Sequence, residues 1–73
     1  MKLRRLSGPE VQRILETHGF VAVRQRGSHV AMQRRIESTT VTVIVPNHRE
    51  LKTGTLQSIV RQSQVPREEF EVK

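Results

Sequence analysis

Phe20-Val21-Ala22-Val23-Arg24-Gln25-Arg26-Gly27-Ser28-His29-Val30-Ala31-Met32-Gln33-Arg34-Arg35 is the stretch around which the rest of this chain is arranged. Two short runs flank Gly27-Ser28, and glycine in the first place of a two-residue loop marks a type II′ β-hairpin. That reading sets Arg26 opposite His29, Gln25 opposite Val30, Val23 opposite Met32 and Val21 opposite Arg34. Val21, Val23, Val30 and Met32 then share the side expected to face a core. Ala22, Arg24, Arg26, His29, Ala31, Gln33 and Arg35 share the other. One register thus separates an apolar face from a basic face that carries a histidine, and a loop one residue longer would destroy the separation.

Upstream, Ser7-Gly8-Pro9-Glu10 reads as a helix start. Ser7 is the N-cap, Glu10 closes a capping box and Pro9 sits in the first turn. Val11, Ile14, Leu15 and His18 follow at helical spacing on one face, and Gly19 ends the helix as its C′ residue. Downstream, 36–39 read as a loop and Thr40-Val41-Thr42-Val43-Ile44-Val45 as a β-branched third strand ended by Pro46. Leu56, Ile59 and Val60 mark a second helix beginning near 53–55 and broken by Val65-Pro66. A last short turn follows, with Glu68 and Glu69 near its positive end and Phe70 packing back.

The order is therefore helix, three strands, helix: an α+β fold with a three-stranded antiparallel sheet and both helices on one face. The expected core is Val11, Ile14, Leu15, Val21, Val23, Val30, Met32, Leu56, Ile59 and Val60. At 73 residues the chain is expected to form a single domain, 1–73, since a chain this short buries only about 60% of its unfolded surface.

Without cysteine there is neither a disulfide framework nor a thiolate metal cage, and a reducing cytoplasm is the expected setting. The basic start, Met1 to Leu6, runs into Ser7-Gly8-Pro9-Glu10 where a signal peptide would need apolar residues, and no stretch is long and apolar enough to span a membrane. Three dispersed histidines with few acids suggest no metal site, and no cofactor motif is present.

The net charge of +6 is unevenly placed. Residues 1–35 hold eight cations and two anions, whereas 36–62 sum to +1 and the last eleven residues to −1. A one-signed patch is rewarded by phosphate through counterion release, so nucleic acid is the expected partner in preference to a surface charged for solubility alone. With only Phe20 and Phe70 as aromatics, a stacking platform for single strands is not indicated. DNA reading is weaker still, because neither helix presents a run of base-reading side chains.

His29 is the residue that chemistry would use. RNA cleavage without a metal needs a 2′-hydroxyl deprotonated, a 5′-oxygen protonated and a charged phosphorane stabilised. An imidazole performs either proton transfer, and the forks of Arg24 and Arg26 suit phosphate oxygens. The plainer reading of His29 is a ring that caps the hairpin. Lys52-Thr53-Gly54-Thr55 reads equally as a phosphate anchor at a helix start or as an ordinary cap with Gly54 there for tight packing. His48 follows Pro46 at the exit of the third strand, which need not lie near the hairpin tip, and it is read as a structural residue or a secondary RNA contact. His18 is explained by the helix end and takes no role.

Four stretches together resemble the HicA-type toxins, also called the YcfA-like mRNA interferase family: Ser7-Gly8-x-Glu10-Val11; Gly19-Phe20 leading to Arg24-Gln25-Arg26-Gly27-Ser28-His29; Val45-Pro46-x-His48; and Leu51-x-x-Gly54-Thr55-Leu56 with Ile59. Glu69-Phe70 adds a fifth. The Arg-Gln-x-Gly-Ser-His block is the specific part. The resemblance implies a fold like the double-stranded RNA-binding domain and a ribosome-independent endoribonuclease that cuts mRNA. It also implies that the family's catalytic histidine falls on His29. The partner it implies is a HicB-like antitoxin, expected over the His29 face. RNA contacts are expected from Arg24, Gln25, Arg26, Gly27, Ser28, Arg35, Lys52, Thr53, Gly54 and Thr55. The chain departs from the family pattern at Ile36-Glu37-Ser38-Thr39, which lacks the usual glycine, and at Val65-Pro66, where a capping serine or threonine is usual. The alternative function is a non-catalytic RNA-binding module of the same fold, which reads A-form shape through phosphates and 2′-hydroxyls.

Overall fold

The N-terminal helix α1, Gly8–Glu16, starts where local chemistry requires it. Ser7 Oγ accepts from the Glu10 N–H at 3.2 Å, and Glu10 Oε1 accepts from the Ser7 N–H at 2.9 Å. That backbone hydrogen bond from Ser7 holds the Glu10 carboxyl below the ordinary carboxylate range. The helix ends with the Gly19 N–H donating to Glu16 O and the Phe20 N–H to Leu15 O, each at 3.1 Å. Those two bonds make a Schellman motif with Gly19, at φ +90°, as the C′ residue. The computed structural model describes residues 2–71.

Strands β1 (Val21–Arg26), β2 (His29–Ile36) and β3 (Thr39–Pro46) form an antiparallel sheet in the order β1-β2-β3. Helix α2 (Thr53–Ser63) and a short 3₁₀ turn, Arg67–Phe70, complete the α-β-β-β-α order. Both helices lie on one face of the sheet, packed chiefly over β3. The β1–β2 turn has positive φ at Gly27, +55°, and not at Ser28, as type II′ geometry requires. The loop expected over 36–39 is shorter than that: Ile36 and Thr39 pair as the ends of β2 and β3, which leaves Glu37 and Ser38 as a two-residue turn, and Glu37 takes φ +55° where glycine is usual.

The hairpin register holds from Arg26↔His29 through Arg24↔Ala31, then slips. Val23 is the extra residue of a β-bulge, so Ala22 pairs with Met32 and Val21 with Gln33. The slip moves Val21 onto the outer side of the sheet beside Gln33. Val21 is 60% exposed and Val23 49%, which corrects their expected place in the core. Val30 and Met32 are buried as expected.

The core is Leu6, Val11, Leu15, Phe20, Val30, Met32, Val43, Val45, Leu51, Leu56, Ile59, Val65 and Phe70, with Ile14 and Val60 packed against it half-buried. Leu6 is sealed in by the chain's ends: the Arg4 N–H donates to Phe70 O at 2.8 Å, and Leu3 bridges Glu71. His18 has a partner in Glu69, its Nε2 lying 3.4 Å from Glu69 Oε1, which ties the end of α1 to the C-terminal turn. Among the described residues no helix is long and apolar enough to cross a membrane.

Candidate functional site

Because the loop is two residues long, Arg26 and His29 are direct cross-strand neighbours, with Cβ atoms about 5 Å apart. Arg24 lies two pairs further, opposite Ala31, and so on the same open face of the sheet. On the other side of β2, Ala31 pairs with Ile44 and His29 with Pro46. Arg24, Arg26, His29, Ala31 and Ile44 therefore line one shallow recess of about 180 Å³. Its floor is apolar and its rim is cationic, with an imidazole at one end.

The pairing of His29 with Pro46 sets the exit of β3 beside the hairpin tip, a position the strand order alone left open. The Asn47 N–H donates to Ser28 O, and the next residue, His48, accepts from the Gly8 N–H at 2.8 Å through its carbonyl. The Leu51 N–H donates to Leu6 O at 2.8 Å, which brings the start of α2 to the same end. The hairpin tip, the exit of β3 and both helix N-termini thus converge at one end of the molecule. His48 belongs to that end, its side chain exposed.

Not every expected site residue joins the recess. Gln25 pairs with Val30 on the helix side, and its Nε2 donates to Gly27 O at 3.1 Å, buttressing the turn. Arg35 shares the His29 face but lies six residues along β2, about 20 Å away. Lys52 is the N-cap of α2 and its side chain makes no capping bond. Gly54 is not there for tight packing: a Cβ at this position meets nothing within 4 Å.

Residues 8–65 match the family described as the HicA toxin of bacterial toxin–antitoxin. The chain belongs to the HicA toxin family. No curated protein matches it. The match runs from the first residue of α1 past the end of α2, so it takes in the whole sheet and every residue of the recess. Membership makes this HicA-family chain the toxin of a toxin–antitoxin pair, and an antitoxin is its partner.

Sequence reasoning missed the apolar part of the open face. Ile44 is 47% exposed. The alternation Thr40, Thr42, Ile44 against Val41, Val43, Val45 was a usable signal for it, since period-two patterning assigns Ile44 to the threonine side. The exposure of Val21 and Val23 had no such signal.

Proposed function

We propose that this HicA-family toxin is a metal-independent endoribonuclease that cuts mRNA, with His29 as its catalytic acid or base. One observation carries the reading: His29 shares a solvent-open recess with Arg24 and Arg26, on a chain that belongs to a toxin family.

In the proposed reaction the substrate 2′-oxygen attacks the adjacent phosphorus, forming the O2′–P bond as the P–O5′ bond breaks. Neutral His29 takes the 2′-hydroxyl proton, or in its protonated form gives one to the departing 5′-oxygen. The Arg24 and Arg26 guanidinium groups hold the phosphate and offset the charge that grows on its equatorial oxygens. The products are a 2′,3′-cyclic phosphate and a 5′-hydroxyl. Purified toxin incubated with a defined RNA, followed by mass analysis of the fragment ends, tests this. Fragments ending in 3′-hydroxyl and 5′-phosphate would contradict it.

RNA would approach the convergent end of the molecule. Gly27 and Ser28 offer backbone groups at the hairpin tip. Lys52, Thr53, Gly54 and Thr55 offer a cation, hydroxyls and first-turn N–H groups to a second phosphate. Arg35 extends the basic face at long range, and His48 supplies a secondary contact. The partner is a HicB-like antitoxin lying over the His29 face. Supporting this, Val21, Ala31 and Ile44 make that face apolar between its arginines, and a protein with an apolar centre and an acidic rim complements it. The reaction is expected in the cytoplasm, where mRNA is.

A further inference from the structure

The edge strand β1 has a second recess on its other side. The helices pack chiefly over β3, so the helix-side face of β1 is left uncovered, and all six residues of β1 are exposed. Pro9 and Gln12 of α1, Gln25 of β1 and Asn47 at the exit of β3 surround this space, with buried Val30 behind them and Arg24 at its edge. Its volume is about 350 Å³, within the range of small-molecule clefts, roughly 300–1,000 Å³. The His29 recess, at about 180 Å³, falls below that range and suits a backbone phosphate rather than a base. Arg24 lines both.

We infer that the α1–β1 recess receives a single unpaired base of the RNA strand, adenine by the chemistry of its lining, while the adjoining phosphate stays with Arg24 in the His29 recess. The inference rests on the ribonuclease reading and deepens it, naming what sets sequence preference. Three amide side chains, Gln12, Gln25 and Asn47, supply paired donors and acceptors, the pattern that meets adenine N6 and N7 bidentately. None of the lining residues is a carboxylate, the acceptor suited to cytosine N4, and the one guanidinium is committed to phosphate. Gln25 is already oriented: one amide N–H is held by Gly27 O, which leaves the amide oxygen as an acceptor. The Asn47 main chain is anchored beside the hairpin tip by its N–H bond to Ser28 O. The strand crosses an exposed sheet edge one residue thick, so base and phosphate reach the two recesses from adjacent positions of one nucleotide.

The test is a titration of the ¹⁵N-labelled full chain with AMP, GMP, CMP and UMP, with inorganic phosphate as the control, followed through backbone and side-chain amide signals. AMP is expected to shift the side-chain NH₂ signals of Gln12, Gln25 and Asn47 at concentrations at least about fivefold lower than the other three. Gln12→Ala and, separately, Asn47→Ala should bring the AMP response to the level of the others, with the phosphate response at Arg24 unchanged. Equal responses to all four nucleotides, or shifts confined to Arg24, Arg26 and His29, would overturn the proposal. This readout is independent of cleavage: an inactive chain that still prefers AMP at these amides retains the base site while the ribonuclease reading fails.

Discussion

Gly8 at the start of α1 lies against Pro46 at the end of β3 so closely that a Cβ on Gly8 would collide with the Pro46 carbonyl oxygen and come within 2.8 Å of Asn47 Cα. Both obstacles are backbone, so neither can swing away. This contact brings the start of α1 up against the same strand end that pairs with His29. Gly8→Ala should therefore force the helix off the sheet and destabilise the chain by about 1–3 kcal/mol, the usual range for overpacking. At roughly 4–8 °C per kcal/mol for a domain of this size, thermal unfolding followed by circular dichroism will register the drop. An unchanged midpoint would mean that the close approach carries no structural weight.

Glu37 and Gln64 hold left-handed backbone, φ +55° and +63°. Glu37 opens the β2–β3 turn and Gln64 caps the C-terminus of α2. Glycine adopts this region without the Cβ penalty. Glu37→Gly and Gln64→Gly should each stabilise by about 1 kcal/mol, net of the extra freedom glycine gives the unfolded chain. The two sites are at different turns, so the gains should add in the double variant; chemical denaturation checks this.

Gly54 separates stability from binding. Its Cβ position is open and it lies in the first turn of α2, so Gly54→Ala should raise helix stability by about 0.5–1 kcal/mol. If RNA phosphate approaches the first-turn N–H groups, the added methyl should instead weaken RNA affinity severalfold. Binding measured at two salt concentrations beside the melting curve gives both numbers. Affinity that rises or stays level would remove this helix start from the RNA surface.

Val21 tests the antitoxin surface without entering the recess. It is 60% exposed, so Val21→Glu should leave the fold intact and RNA cleavage near the wild-type rate. An apolar contact replaced by a buried charge should lower antitoxin affinity about tenfold or more. Calorimetric titration with the cognate antitoxin will show it, and unaltered affinity would place the antitoxin elsewhere.

Much of the fold was legible because each element carries its own punctuation. Ser7 with Glu10 and Gly19 bound α1, Gly27-Ser28 sets the first hairpin and Pro66 stands just beyond α2. The proximity of Arg24, Arg26 and His29 was legible for the same reason, since they belong to one hairpin of fixed loop length. The bulge was not. Val21-Ala22-Val23 is apolar throughout and gives no phase, so the residue left over on β1 is decided by where the helices pack, and they favour β3. Leu6 and Leu51 sit in segments without periodicity and are buried by backbone pairing between distant parts of the chain. Gln12 and Asn47 meet near Gln25 only in three dimensions, which no local pattern reports.

The measurement that bears most directly on the central claim is cleavage of an end-labelled RNA in excess EDTA by wild-type chain and by His29→Ala, each shown folded by circular dichroism. His29 is exposed on the open sheet face, so its replacement should leave the fold and most of the RNA affinity in place. The account predicts cleavage by wild-type chain without metal and a loss of at least about a hundredfold in the variant. Cleavage retained by His29→Ala, or RNA bound and left intact by the wild-type chain, would contradict it.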